Sequence, residues 1–228
     1  MDLPVWQKLY AELEPKGFLP ITVAFDSAGN EAAGPWIRAA NPTYPCLIDR
    51  QHLVADLYDM VNVPIAVWIN EDGRIVRPPE PAGSNDAFRA MDHTNFTMPK
   101  EAVQSLRTHR QIYLDALRDW AEKGDASDFA LSEDEVLRRL TAPNDDHALA
   151  ALTFRMGEFL FEQGHTTDAA RYFDEAKRLR PESWAYRRQT WALEEPAKAG
   201  GPEFWAAVDA LGENKYYAEI DMPGLRKA

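Results

Sequence analysis

Apolar positions first recur at helical spacing. Trp6, Leu9, Tyr10 and Leu13 fall at i, i+3, i+4 and i+7, and Gly17 supplies a stop. A continuous apolar run follows, Ile21-Thr22-Val23-Ala24-Phe25, ending at Asp26. A run of that length suits a strand of a parallel sheet, covered on both faces. The stretch Ser27–Thr43 reads as a loop with a short helix near Trp36 and Ile37. Tyr44–Asp49 predicts a short strand leading into a helix capped by Asp49, with Leu53, Val54, Leu57 and Tyr58 on one side. Asn62-Val63-Pro64 precedes a second strand, Ile65–Ile69. Asn70-Glu71-Asp72-Gly73 is a hairpin signal, and Arg74–Val76 returns. Pro78, Pro79, Pro81 and Gly83 read as a linker, and Ser84–Met98 has no period.

From Pro99 the pattern is helical. A long helix presents Tyr113, Leu117 and Trp120 on one face and stops at Gly124. Ser132–Glu135 has capping-box spacing for a short helix. Two helices flank Gly164, one spans Trp184–Leu193, and a short one ends at Gly212. The expected organisation is an α/β domain over residues 1–95 and an all-α domain over 96–228.

The order Pro45-Cys46-Leu47-Ile48-Asp49, helix, Val63-Pro64, strand, Asp72-Gly73, strand resembles the thioredoxin-like superfamily, of the TlpA/ResA and AhpC/TSA redoxin type. That resemblance covers about the first eighty residues. It implies a cis-proline at Pro64 and a substrate-facing pair, Val63 and Pro64. It also implies a Cys-x-x-Cys dithiol, or a peroxidatic cysteine, at the start of the first core helix. Here that helix opens at Met1-Asp2-Leu3-Pro4 with no cysteine before it. Leu3-Pro4 resembles the residues just past the dithiol, so the fold expected is thioredoxin-like with an incomplete sheet. Three explanations compete: a start placed too far downstream, with Met1 internal to a longer chain; completion of the sheet by another chain; or direct re-pairing of the remaining strands. Unpaired edges of apolar strands favour self-association.

Residues Met156-Gly157, Leu160, Gly164, Ala169, Phe173, Ala176 and Pro181 resemble one tetratricopeptide repeat, a helical hairpin over 150–183. Thr153 and Leu160 depart from the usual aromatic residues. A step of 34 residues places Trp191 or Lys123 at the close-packing glycine, so no second repeat is in register. A lone repeat packs on helices of its own chain.

Composition narrows the function. The chain holds one cysteine, Cys46, so no intramolecular disulfide is possible. Free cysteine is most often a buried small hydrophobe, and Cys46 reads as an inert thiol, with a nucleophilic role as the minority reading if His52 lies beside it. A net charge of -12 disfavours nucleic acid as a partner. No apolar run approaches the ~20 residues of a membrane span. No secretory pattern opens the chain, and a cytoplasmic location is expected. No two-histidine metal spacing, phosphate-cradling loop or serine elbow is present, so no cofactor or metal is expected. The functional expectation is a protein of thiol–disulfide oxidoreductase ancestry, redox-inactive as this chain. The alternative is a complete non-catalytic interaction module whose groove and hairpin hold a protein or peptide.

Overall fold

The computed structural model describes residues 3–225. Met1 and Asp2, where the first helix was expected to open, lie outside the described residues. In chain order the elements are α1 (Leu3–Leu13), β1 (Thr22–Phe25), α2 (Asn30–Ala40), β2 (Cys46–Asp49), α3 (Leu53–Leu57), β3 (Ile65–Ile69) and β4 (Ile75–Pro81). They continue with α4 (Lys100–Lys123), α5 (Glu133–Arg139), α6 (Asp145–Glu162), α7 (Thr166–Leu179), α8 (Trp184–Glu194) and α9 (Pro202–Asp209). The chain is mixed α/β, with a helix-rich C-terminal portion. Helices hold 56% of the residues and strands 10%, so the architecture is predominantly helical. The strands form two separate two-stranded sheets, β1–β2 and β3–β4. Among the described residues β1 pairs with β2 and β3 with β4, which is not the expected direct re-pairing of the remaining strands.

Two compact units result, and neither is continuous in sequence. The first combines Ile21–Val63 with Thr141–Phe204. In it β1 and β2 run parallel in the register Thr22↔Cys46 to Phe25↔Asp49. The Asp49 carboxylate accepts from Gln51 N at 3.3 Å and Val54 N at 2.6 Å, so it caps the turn into α3 as its position predicts. The buried residue of α3 is Ala55, whereas Leu53 and Leu57 are exposed. The expected apolar side of this helix is therefore wrong: five residues make barely one turn, too short to present a stripe. Helix α2 is longer than the expected loop. It carries Pro35 at its midpoint, and Asn41, at φ 47°, closes the C-terminus.

The core of this unit is the α6–α7 hairpin. Ala150, Phe154, Ala169, Phe173, Ala176 and Tyr186 bury together. Gly157 permits the close crossing: a Cβ there would lie 2.6 Å from Phe173 Cε1. Gly164, at φ 82°, turns the chain between the helices. Asp56 accepts from Arg155 at 2.9 Å and from the Tyr186 hydroxyl at 3.1 Å, joining α3 to α6 and α8.

The second unit combines the residues up to Pro20, Pro64–Leu140, and Trp205 onward. Leu9 and Leu13 of α1, Trp68 of β3, Val76 of β4, and Tyr113 and Leu117 of α4 form its core with Ile220 and Met222. Trp68 Nε1 donates to the Tyr113 hydroxyl at 2.8 Å, and the Trp68 ring stacks on Trp120. The expected proline linker is instead strand β4. Its pairing skips a residue between Ala66↔Glu80 and Trp68↔Arg77, so Pro78 and Pro79 fall in a bulge, where a missing N–H leaves no ladder bond unmade. Arg89 donates to the carbonyls of Val208 (3.3 Å), Gly212 (2.9 Å) and Asn214 (2.9 Å), and Asp86 accepts from the N–H groups of Tyr216 and Tyr217. These bonds anchor the irregular tail that carries Ile220 and Met222 into the core.

Burial, more than the neighbouring Cys46, pushes the Tyr44 hydroxyl up to about 12. Burial first, then Glu80 for Tyr113 and Asp56 for Tyr186, drives those two higher still. An unfolded tyrosine titrates near 10. The stability these groups contribute is therefore complete below pH 10 and is lost as pH rises through the folded values. Tyr113 and Tyr186 each cost about 1.4 kcal/mol per pH unit above 10. The chain is expected to unfold cooperatively above pH 10, with phenolate absorbance and near-UV dichroism changing together. Phenolate absorbance that rises for all eight tyrosines while the dichroism holds would refute this.

Candidate functional site

The best-formed candidate lies in the first unit, along β1 and the loop that follows it. Thr22 N donates to the Pro45 carbonyl at 3.1 Å and Asp26 N to the Asp49 carbonyl at 3.3 Å. In a parallel pair the bonded residues alternate along the strand. Thr22, Ala24 and Asp26 thus face β2, while the backbone groups of Val23 and Phe25 face the opposite edge. No strand pairs with that edge among the described residues. All four residues of β1 are half-buried.

Beyond Phe25 the chain turns through Asp26-Ser27-Ala28-Gly29 into α2, with Gly29 at φ 68°. Ser27, Glu158 of α6 and His52, at the start of α3, are all buried. The Ser27 hydroxyl donates to the Glu158 carboxylate, and His52 Nδ1 lies 3.3 Å from the same carboxylate oxygen. That imidazole nitrogen makes no aligned hydrogen bond, so the contact is an ion-pair distance without donor geometry. The His52 ring lies between Phe25 and the edge-on ring of Phe154, and its backbone is left-handed at φ 55°. Burial raises Asp26 above the ordinary carboxylate range, against the opposing pull of the Ala28 N–H and then His52.

These three residue types suggest nucleophilic catalysis, but their wiring does not. A serine nucleophile needs the imidazole on its hydroxyl and the carboxylate on the far ring nitrogen. Here serine and histidine both address one carboxylate oxygen, so the imidazole is not placed to take the serine proton. The arrangement is a buried polar hinge pin that ties the turn after β1 to α6 and α3.

In front of it opens a cleft of about 720 Å³ lined by Ser27, Asn30, Arg50, Glu158, Phe161 and Glu162 among others. Arg50 Nε donates to the Ser27 carbonyl at 3.2 Å and Nη2 to Glu162 at 3.1 Å. With Glu31 also in the lining, three carboxylates face one guanidinium, so the cleft favours a cationic group.

Cys46 opens β2 and is half-buried, and the Thr22 hydroxyl donates to its Sγ at 3.0 Å. His52 sits with Glu158, Phe25 and Phe154. Val63 and Pro64 are half-buried. Val63 N donates to its neighbour's Asn62 side chain at 2.8 Å, and the Pro64 carbonyl accepts from Ala82 N at 3.1 Å. Val63 ends a segment of the first unit and Pro64 opens one of the second. Sequence reasoning passed over Ser27, Arg50 and Glu158. One signal was available for Glu158: it is the lone carboxylate between Asp146 and Glu162, on a largely apolar helix.

Among the described residues no three His, Cys, Asp or Glu side chains gather to hold a metal ion, and no helix is long and apolar enough to cross a membrane. No family model, no curated protein and no solved structure matches the chain.

Proposed function

We propose that this chain is a non-catalytic binding module of thioredoxin-like ancestry that holds an extended polypeptide by strand addition to β1. The observation that carries the reading is the edge of β1 that no strand pairs with among the described residues, where Val23 and Phe25 present backbone donors and acceptors. An added strand pairs with such groups and takes its specificity from alternate side-chain pockets. The acidic cleft starts two residues beyond Phe25 and suits a lysine or arginine of the bound segment. Ancestry is supported by the parallel β1–β2 pair and the antiparallel β3–β4 pair, which follow the element order of the resemblance. Absence of disulfide exchange is supported by the single cysteine, which opens a strand and bonds to Thr22.

Peptides selected from a random library against the full chain are expected to be extended and to carry a basic residue. Their binding should slow amide exchange at Val23 and Phe25 at least tenfold. Val23→Pro removes an N–H that β2 does not use, so it should abolish peptide binding and leave the β1–β2 pair intact. Binding that survives Val23→Pro, or a library that yields no binder, would overturn strand addition. Insulin reduction at a rate lost in Cys46→Ala would overturn the non-catalytic reading.

A further inference from the structure

Helix α6 is apolar on both sides. Its inner face, Ala150, Phe154 and Gly157, packs within its own unit. Its outer face should then be polar, yet every exposed position from Ala148 to Phe159 is apolar. Leu149 is 50% exposed, Leu152 65%, Met156 44% and Phe159 55%. A helix that is apolar all round belongs in an interior, so this face is built to be covered.

We infer that the covering element is α6 of a second copy, packed antiparallel about a twofold axis. The spacing of the four residues is three, four, three: the a/d seam by which two helices interlock. That order reads the same in both directions. An antiparallel partner therefore seats Leu149 on Phe159 and Leu152 on Met156, in four layers. A parallel pair would instead bring the Asp145-Asp146 turns of both copies together. The antiparallel pair separates them by the helix length and sets each near a Glu162 that Arg50 already engages. It also opposes the two helix dipoles.

The seam exposes apolar surface on the order of 400 Å² per copy, the size at which a patch marks an interaction site. Two such faces with their rims reach roughly 1,000 Å², the lower bound for a specific interface. The dimer is thus a weak one, assembled at micromolar concentration. Because each copy carries a net charge of -12, salt screens their repulsion and tightens the pair, the reverse of an association held by ion pairs.

Sedimentation equilibrium of the full chain from 1 to 100 µM tests this. The expected result is a monomer–dimer equilibrium whose dissociation constant falls severalfold between 50 and 500 mM NaCl. Leu152→Glu and, separately, Met156→Lys alter exposed positions, so circular dichroism should be unchanged while dimer is lost at 100 µM. In a Cys46→Ala background, Leu149→Cys and Phe159→Cys chains should form a disulfide when mixed, and Leu149→Cys alone should not. Three results would overturn the proposal: a monomer at 100 µM, a dimer indifferent to both charged variants, or self-crosslinking of Leu149→Cys. A monomer would assign the face to a different protein. A dimer blocked by Val23→Pro and not by Leu152→Glu would assign association to the strand edge.

Discussion

Arg77→Ala is expected to lower the unfolding free energy by about 3–5 kcal/mol, the cost of stranding one member of a buried ion pair. Arg77 is fully buried on β4. Its guanidinium grips Glu80 through two bonds of 2.6 and 2.8 Å, and donates to the carbonyls of Phe129 at 2.9 Å and Asp221 at 3.1 Å. It also lies over the Trp68 ring. Removal strips the Glu80 carboxylate and the Phe129 carbonyl of the donors Arg77 supplies, while the Asp221 carbonyl keeps Arg139 Nη1 at 2.9 Å. Replacing both charges, Arg77→Met with Glu80→Leu, should recover much of the loss, because the desolvation cost disappears with the pair. Burial raises the Glu80 carboxyl above its ordinary value even with Arg77 beside it. A raised folded value means the contribution is present at acidic pH and lost as pH rises. The single variant should therefore lose less at pH 4 than at pH 7, since a protonated Glu80 needs no counter-charge. Urea denaturation followed by tryptophan fluorescence at the two pH values measures this. An equal loss at both would refute the electrostatic account.

Phe173→Ala should cost about 3–5 kcal/mol in the first unit, as expected for a buried phenylalanine whose neighbours cannot collapse around the hole. Its ring fills the space left by Gly157 and packs on Phe154 at a centroid distance of 5.3 Å. Gly157→Ala should cost about 1–3 kcal/mol through overpacking, because the added methyl group meets that ring. The two sites touch, so their effects should not add. Gly157→Ala with Phe173→Leu is expected to be more stable than the sum of the single losses. Strict additivity in urea melts would mean that the helices do not cross at these residues.

Much of the local structure was legible because it depends on close neighbours. Gly17, Gly124 and Gly164 end their helices, and Ser132 accepts from Glu135 N as its capping spacing predicts. Gly73 N donates to the Asn70 carbonyl, closing the turn before β4. The apolar run at residues 21–25 pairs in parallel. The candidate site was not legible. Ser27, His52 and Glu158 come from three distant segments, and no local pattern links them. The prolines of β4 misled for a related reason: their fitness for a strand depends on the bulge in its pairing with β3.

The sequence by itself determined the glycine stops of several helices, the apolar run of β1, the presence of a single cysteine, and the glycine-to-phenylalanine fit of the α6–α7 hairpin. Each of these follows from short-range sterics, periodicity or simple counting. Tertiary structure alone decided that two units interleave along the chain, with β1–β2 joined to α6–α8 and β3–β4 joined to α1, α4 and the tail. Apolar faces carry no address in the sequence. Which faces meet is settled by shape and by the chain lengths available to bring them together, and the buried polar residues then take their partners from that choice.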